Sequence, residues 1–214
     1  MTNKVKIGLL NYGAGNMASI RNALDFIDIP YVEITKGPLP DSSDYIFILP
    51  GVGSFSEASN ALRLLKFDDL SLRSVKLIGI CLGMQLLFSD STEGDLSPGL
   101  GLIPGNVRPI IDYFSSDVPR LPIPHVGWQP LNFYPDQAPF SLSHFHPHDF
   151  YFVHSFMAVE VDPSNIVASV EYGGVSIPAI VANKSVIGLQ FHPEKSGLYG
   201  LNLIREVIDY LQFL

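Results

Sequence analysis

The sequence predicts an α/β fold in which helices cover a mainly parallel sheet and a second region of antiparallel or mixed strands packs on it. Two observations predict this arrangement. Through residues 4–89, short β-rich segments alternate with helix-like segments, as expected of parallel strands joined by crossover helices. From about residue 95 to residue 190, the chain instead consists of short extended segments broken by proline and glycine.

The individual elements follow from the hydrophobic pattern. In the first half, strands are predicted at 4–10, 31–35, 44–50 and 75–80, and helices at 17–27, 56–65 and 82–89. The extended segments of the second half are 101–110, 121–131, 149–156, 165–173, 177–183 and 186–192. An amphipathic helix over 200–214 is predicted last, with Leu201, Ile204, Ile208 and Leu211 at helical spacing.

Composition narrows the class of protein. The chain has 214 residues, of which 47% are hydrophobic and 16% charged, enough to bury a sizeable core, and we expect residues 1–214 to form a single domain. The net charge is −8 and no Lys/Arg cluster interrupts it, which argues against binding to nucleic acid. The longest apolar run, residues 77–88, is too short to cross a bilayer, so we expect a cytoplasmic protein with no membrane partner.

The only cysteine, Cys81, stands in the pattern Gly79-Ile-Cys81-Leu-Gly83, between a predicted strand and a predicted helix. This pattern is typical of a nucleophile elbow, in which flanking glycines allow a sharp turn whose central residue is strained. The turn would lift the sulfur toward solvent, and a helix N-terminus would favour the thiolate. A buried core cysteine explains the pattern alone equally well, so the partners of Cys81 must decide.

A base for such a nucleophile is available in "GLQFHPEKSG", residues 188–197, which contains His192 and Glu194 separated by Pro193. Proline disfavours the helical region for His192 and holds the segment extended, so that residues two apart share a face. Glu194 would then orient the imidazole, and the free ring nitrogen would take the thiol proton. Taken alone, His-x-Glu also describes an ordinary surface pair.

The turn in "LPGVGSF", residues 49–55, follows a strand that would end beside Cys81. Gly51 and Gly53 would let backbone N–H groups face inward, as an oxyanion hole requires. A plain strand-to-helix turn is the alternative interpretation of this segment.

Five motifs, "PGVGSF", "GICLGMQ", "PHVGWQ", "YFVHSF" and "QFHPEKSG", occur in this order over nearly the whole chain. Together they resemble the class I (triad) glutamine amidotransferases. "NYGAGNMASI" at residues 11–20 and the "PGVG" form of the turn are similar to the glutaminase subunits of imidazole glycerol phosphate synthases, enzymes of histidine biosynthesis. The resemblance implies a doubly wound, mostly parallel sheet with helices on both faces and no cofactor.

The same resemblance implies a role for particular residues. Cys81 would attack the side-chain amide of L-glutamine, and His192 and Glu194 would complete the triad. Leu82 and the Gly51–Val52 peptide would supply oxyanion N–H groups. The substrate would contact Gln85, Glu93 and the backbone at Ser155 and Phe156, the last standing where many relatives have tyrosine. A (β/α)8-barrel cyclase, making imidazole glycerol phosphate and aminoimidazole carboxamide ribotide, would receive the ammonia in a heterodimer whose interface includes Asn11, Asn16, Trp128, Tyr151 and Lys195. The resemblance also implies that the glutaminase subunit alone has almost no activity and becomes active when the cyclase partner binds its ligand.

Three alternatives remain open from the sequence. A similar glutaminase could feed a related barrel synthase that amidates a nucleotide sugar for surface polysaccharide. A non-catalytic binding or regulatory module on the same scaffold would have no need of the three triad residues. A cysteine peptidase would share the elbow, but "MQ" after it and "VHSF" favour free glutamine. His144, His146 and His148 alternate in "SLSHFHPHDF", which we interpret as a solvated loop and not as a metal site.

Overall fold

The computed structural model describes residues 5–13, 15–40, 44–67, 75–142, 145 and 147–214. Within these ranges the first half has strands β1 (Lys6–Leu10), β2 (Tyr31–Ile34), β3 (Tyr45–Leu49) and β4 (Lys76–Ile80), and helices α1 (Met17–Phe26), α2 (Phe55–Leu64) and α3 (Leu82–Gln85). The α/β alternation predicted from the sequence is therefore confirmed. The strand and helix bounds differ from the predicted ones by a residue or two, except for α3.

The second half of the chain supplies shorter strands and one long helix. The strands are β5 (Asp90–Ser91), β6 (Ser97–Pro98), β7 (Asn106–Pro109), β8 (His125–Pro130), β9 (Asn132–Phe133), β10 (Asp149–His154), β11 (Phe156–Val159), β12 (Ile166–Tyr172), β13 (Val175–Asn183) and β14 (Val186–Leu189). The closing helix α4 spans Gly197–Gln212, so it begins three residues before the predicted start. Leu201, predicted on its buried face, is half-buried.

The main sheet of the described chain has the strand order β2-β1-β3-β4-β14-β13-β12-β9. The pairs from β2 to β14 are parallel, whereas β14, β13, β12 and β9 pair antiparallel. One detail differs from the sequence prediction. The strands β12–β14 do not pack on the first sheet as another layer but continue it through hydrogen bonds. Two small sheets, β10-β8 and β11-β7-β5-β6, complete the β structure of the described residues.

Helices lie on both faces of this sheet because its strands alternate between two apolar cores. Ile46 and Ile48 of β3 face the core that includes buried residues of α1 and α4. Phe47 and Leu49 of the same strand face the core that includes buried residues of α2 and α3. Successive side chains of a strand point to opposite faces, so a strand covered on both sides is apolar throughout. The doubly wound fold implied by the resemblance is confirmed.

The helix after Cys81 is shorter than predicted and ends at Gln85. Beyond it, the N–H groups of Leu87 and Phe88 bond three residues back, to the carbonyls of Met84 and Gln85. The carbonyls that a longer helix would use are instead taken by the loop at 100–102, since the N–H groups of Leu100 and Leu102 bond to Leu86 and Leu87. The apolar run at 77–88 therefore enters the core as most of β4, one helical turn and tight turns.

Candidate active site

The candidate site lies at the carboxyl ends of the parallel strands. Pro50 follows β3, Cys81 follows β4, and Gln190 and His192 follow β14. Parallel strands end at one edge of a sheet, and open α/β sheets bind ligands at that edge. The register places Ile80 beside Leu189, and the N–H of Cys81 donates to the carbonyl of Leu189 over 2.7 Å. Pairing of β4 with β14 thus brings together residues that are far apart in the sequence.

The backbone at Cys81 has the strained conformation of an elbow, with φ 54° and ψ −110°. A Cβ on Gly79 would come within 2.6 Å of the Gly83 carbonyl oxygen, and a Cβ on Gly83 would collide with the backbone of Leu49. Both glycines are therefore needed for backbone to pack on backbone, as predicted from the sequence. The sulfur is not lifted into solvent, because Cys81 is 6% exposed and lines the wall of a cavity.

His192 and Glu194 form a buried pair, with Nδ1 of the imidazole 2.7 Å from Oε1 of the carboxylate and both side chains fully buried. His192 is extended as expected, at φ −99° and ψ 91°. The continuation differs from the prediction, because Pro193–Lys195 forms a 3₁₀ turn. The 3₁₀ turn therefore brings the Glu194 carboxylate to the His192 ring; the two side chains do not share one face of an extended segment.

The electrostatics of His192 reflect two neighbours. Burial by itself lowers the pKa of the imidazole, but the interactions with the neighbouring Cys81 and Glu194 outweigh it and raise the pKa to about 9. Its Nε2 atom has no partner at ordinary hydrogen-bond distance among the described residues. The ring is thus fixed at Nδ1, which leaves Nε2 to exchange a proton with the thiol, and the raised pKa favours the protonated imidazole near pH 7.

Asn16 and Ser196 hold this pair, and sequence reasoning did not give them that task. Nδ2 of Asn16 donates to Oε1 of Glu194 over 3.1 Å, and Asn16 is only 5% exposed. The Ser196 hydroxyl donates to the carbonyl of His192 and accepts from the N–H of Tyr151. The N–H of His192 donates to the carbonyl of Tyr151. The sequence gives no sign that Asn16 lies within hydrogen-bond distance of the Glu194 carboxylate, because the two residues are far apart in the chain.

A cavity of about 300 Å³ opens beside Cys81. Its lining includes the predicted substrate residues Gln85, Glu93, Ser155 and Phe156, and the predicted oxyanion residues Val52 and Leu82. Glu93 accepts a hydrogen bond of 2.9 Å from the N–H of Phe55. Burial, which is only partly opposed by that bond, raises the pKa of its carboxyl group, and the charge of Glu57 adds to the effect. The structure therefore places all of the predicted substrate and oxyanion residues except Gly51 around one space next to the sulfur.

The turn predicted to form the oxyanion hole is tightly packed at Gly51 and open at Gly53. A Cβ on Gly51 would lie 2.5 Å from the Tyr12 hydroxyl and 2.9 Å from Cβ of Leu82. Gly53 has φ +112° and would meet nothing within 4 Å. Gly51 is thus required by lack of space, and Gly53 by its left-handed backbone.

The predicted interface residues do not form one patch. Trp128 is 53% exposed and its ring lies 5.8 Å from that of Tyr151 on the paired strands β8 and β10. Nζ of Lys195 lies 5.9 Å from the centre of the Tyr151 ring. Asn11 instead bonds to Glu33, and Asn16 is turned inward to the triad. We call Trp128, Tyr151 and Lys195 the aromatic cluster.

Two further histidines line the interior, and sequence reasoning quoted their motifs without assigning them a role. Nδ1 of His154 donates to the carbonyl of Phe156 over 2.8 Å, and its Nε2 lies 3.1 Å from Nδ1 of His125. Because a carbonyl only accepts, Nε2 of His154 accepts in turn from His125. Burial lowers the pKa of His125 to about 4 and that of His154 to about 3. Both rings are therefore neutral near pH 7.

Of the three alternating histidines noted in the sequence, the structure describes only one. His144 and His146 lie outside the described residues, and His148 stacks on Tyr199. Among the residues that the structure describes, no group of three or more His, Cys, Asp or Glu side chains could hold a metal ion. In the same ranges, no helix is both long enough and apolar enough to span a bilayer.

The fold and the elbow-and-triad geometry define a class of protein, and comparison with known families agrees. Residues 15–207 match the family model described as glutamine amidotransferase class-I, so the chain belongs to the class-I glutamine amidotransferase family. The resemblance noted from the five motifs is thus confirmed.

More specific relatives are known from the curated proteins. The imidazole glycerol phosphate synthase subunit HisH of Bacillus velezensis is 41% identical over 204 residues, covering 94% of this chain and 94% of its own. The subunit of the same name from Staphylococcus aureus is 40% identical over 208 residues, covering 95% of this chain and 96% of its own.

Solved structures support the fold alone. The structure of PurLQS from Thermotoga maritima has a TM-score of 0.69 at 21% identity and covers 97% of this chain and 99% of that chain. A crystal structure of a glutamine amidotransferase has a TM-score of 0.66 at 18% identity, with 96% and 98% covered.

Proposed function

We propose that this chain is the glutaminase subunit of an imidazole glycerol phosphate synthase and that Cys81, His192 and Glu194 are its catalytic triad. One observation carries the proposal: the only cysteine occupies a strained elbow after β4, and the residues that follow the neighbouring strand β14 place a buried His192–Glu194 pair beside it. Nε2 of His192 makes no other hydrogen bond among the described residues. Relatives that bear this subunit's name at about 40% identity over nearly the whole chain support the choice of acceptor over a nucleotide sugar.

In the first half of the reaction, Cys81 attacks the side-chain amide carbon of L-glutamine. Nε2 of His192 takes the thiol proton, and Glu194 stabilises the imidazolium through its bond to Nδ1. Negative charge on the amide oxygen is met by the N–H groups of Leu82 and of the Gly51–Val52 peptide. One such donor contributes about 3 kcal/mol to stabilising the transition state. His192 then returns the proton to the leaving nitrogen, and ammonia departs from a thioester.

In the second half, water attacks the thioester carbon while His192 accepts a proton from it. The same N–H groups stabilise the second tetrahedral intermediate. Collapse of this intermediate breaks the C–S bond, the thiolate recovers the proton from His192, and glutamate is released. Gln85 and Glu93 would hold the amino-acid end of the substrate, with the backbone of Ser155 and Phe156 at its carboxylate. Glu93 in its anionic form would pair with the substrate ammonium group.

The ammonia is consumed by a (β/α)8-barrel cyclase bound as the second subunit of a heterodimer. In the aromatic cluster, Trp128 and Lys195 are exposed and Tyr151 is half-buried, and the cluster supports docking on this side of the molecule. It is also joined to the triad, because the carbonyl of Tyr151 accepts from the N–H of His192. A single domain over 1–214 and a cytoplasmic location complete the proposal.

The test is a Cys81→Ala substitution assayed together with the cyclase and its phosphorylated ligand. We expect glutamate release to fall below detection, while the cyclase still forms imidazole glycerol phosphate when ammonium salts are added. Release of glutamate by the substituted protein would overturn the assignment of the nucleophile. Stimulation by a sugar-amidating synthase in place of the cyclase would overturn the assignment of the acceptor.

A further inference from the structure

A chain of buried polar side chains connects the sulfur of Cys81 to the interior. Nε2 of Gln190 lies 3.9 Å from the sulfur. Oε1 of Gln190 accepts from Nε2 of Gln85 over 3.2 Å, and the same Nε2 donates to the carbonyl of Phe156 over 3.1 Å. Gln190 is fully buried, and the triad chemistry proposed above makes no use of it.

One backbone carbonyl fixes the direction of every bond in this chain. The oxygen of Phe156 can only accept, so the group of Gln85 that faces it is the NH₂. That NH₂ also faces Gln190, which must therefore present its oxygen to Gln85. The NH₂ of Gln190 is thereby turned toward the sulfur. His154 donates to the same Phe156 carbonyl and anchors this end of the chain.

The sulfur lies between an acceptor and a donor. The carbonyl of Val153 is 3.9 Å away on one side, and the NH₂ of Gln190 is 3.9 Å away on the other. A thiol can donate to the carbonyl, whereas a thiolate can only accept. Of these two neighbours, only the Gln190 amide favours the ionised sulfur. It adds to the effect of His192, whose pKa is raised to about 9, and it is strengthened by the low dielectric of a buried site.

The backbone of both residues is held by the sheet. The N–H of Gln190 donates to the carbonyl of Ala179 on β13 over 2.9 Å, and the N–H of Cys81 donates to Leu189 on β14. The amide consequently needs no rearrangement to meet the sulfur, which is the condition for preorganised electrostatic stabilisation.

We propose that Gln190 is a positioning residue for the nucleophile, whose side-chain NH₂ donates to the Cys81 thiolate and aims the sulfur at the cavity. This inference rests on the proposed function, since it assumes that Cys81 reacts as a thiolate. Gln190 does not line the cavity, and its side chain contacts both the sulfur and the Gln85 amide, so the test must separate these two contacts.

Two substitutions separate this role from simple packing. Gln190→Glu keeps an oxygen for Gln85 but replaces the donor with a carboxylate oxygen. Gln190→Met fills similar volume and removes both bonds. Since Cys81 is the only cysteine, the rate of alkylation by iodoacetamide reports on this sulfur alone, and it needs neither the partner nor glutamine.

We expect Gln190→Glu to slow the alkylation of Cys81 at pH 7 by about tenfold. The pH at which the alkylation rate is half-maximal should rise by about one unit, which corresponds to the same free-energy change as a tenfold difference in rate. Gln190→Met should move the midpoint in the same direction by less. Gln212→Glu, the same change near the end of α4, should match the wild type. Each variant is first checked for a native unfolding transition.

An unchanged midpoint in folded Gln190→Glu would overturn the proposal, as would a slow Gln190→Met beside a normal Gln190→Glu. The latter result would mean that Gln190 merely holds Gln85. If Gln190→Met does not fold, Gln190→Glu decides alone; if Gln190→Glu does not fold, an unchanged midpoint in Gln190→Met would overturn the proposal. Failure of the proposed function is distinguishable, because it would be seen as glutamate release by Cys81→Ala and would leave the alkylation results unaffected.

Discussion

The hydroxyl of Tyr12, a residue just beyond β1, donates a buried hydrogen bond of 2.6 Å to the carbonyl oxygen of Pro50. That carbonyl belongs to the peptide that leads into the Gly51–Val52 turn. The hydroxyl also occupies the space that a Cβ on Gly51 would need. Burial raises the pKa of Tyr12, and the nearby charge of Cys81 adds to this, so the hydroxyl stays protonated and remains a donor. Tyr12 therefore anchors one end of the oxyanion turn.

Replacing Tyr12 with phenylalanine should loosen that anchor. The Pro50 carbonyl would be left buried without its donor, which costs about 1–3 kcal/mol of the free energy of unfolding. Because the turn carries the proposed oxyanion N–H groups, we expect the partner-stimulated kcat to fall by about tenfold with a smaller change in KM. Urea unfolding and steady-state kinetics measure the two effects. Tyr113→Phe, which removes an exposed hydroxyl, is the control, and equal behaviour of the two variants would contradict the prediction.

Asn16 and Asn11 should differ although the resemblance assigns both to the partner interface. Asn16→Ala removes a hydrogen bond to the Glu194 carboxylate, and bonds to charged groups contribute about 1.5–3 kcal/mol. We expect alkylation of Cys81 in the isolated subunit to slow by about tenfold. Asn11→Ala breaks two exposed bonds, one to Glu33 and one from the N–H of Gly13, and should leave this rate unchanged. Equal rates for the wild type and both variants would show that Asn16 does not hold the triad.

The buried His125–His154 pair should make the protein sensitive to acid. Both histidines have folded-state pKa values well below the value of about 6.5 that an unfolded histidine has. The unfolded state therefore binds protons that the folded state does not. Their stabilisation is fully present above pH 6.5 and is lost as the pH falls toward 4. Each histidine contributes a slope of up to about 1.4 kcal/mol per pH unit.

The free energy of unfolding, measured in urea from pH 7 to pH 4.5, tests this expectation. His125→Phe leaves one titrating ring instead of two, so the slope should fall by about half. Phenylalanine retains the ring that stacks between Phe152 and Tyr172. A wild-type profile that is level across this range would contradict the neutral assignment of the pair.

Trp128→Ala should weaken the heterodimer without affecting the fold. The side chain is largely exposed beside Tyr151 and Lys195, and an aromatic anchor of an interface contributes about 2 kcal/mol or more. We expect the Kd for the cyclase to rise about 30-fold, with the free energy of unfolding changed by less than about 0.5 kcal/mol. Calorimetry measures the first and urea unfolding the second. Phe213→Ala, another exposed aromatic change, should leave the Kd as it is; a comparable loss there would count against the aromatic cluster.

The sequence was sufficient where the chemistry is local. The elbow could be predicted because the two glycines next to Cys81 have a steric reason that depends only on neighbours in the chain. The strands of the first half could be predicted because they are apolar on both faces. The length of α3 could not be predicted from the sequence. The N–H groups of the loop at 100–102 bond to the carbonyls that a longer helix would use, and the hydrophobic periodicity of a helix does not indicate such a contact.

The contacts around the triad were also beyond reach of the sequence. Asn16 and Glu194 are 178 residues apart in the chain, and nothing in either motif indicates that they meet. His125 and His154 pair only because β8 and β10 lie side by side. Burial of these polar groups is set by the tertiary fold, and so are the pKa shifts that follow from it.

The alignment of β4 with β14 makes turnover a readout of strand pairing. A slip of β14 by one residue would turn each of its side chains to the opposite face of the sheet. The thiol and the imidazole would then lie on different sides of the molecule. A misfolded or swapped form could retain all its helices and still hydrolyse nothing. Specific activity per mole of chain is accordingly a stricter criterion of correct refolding than any spectroscopic measure of helix content.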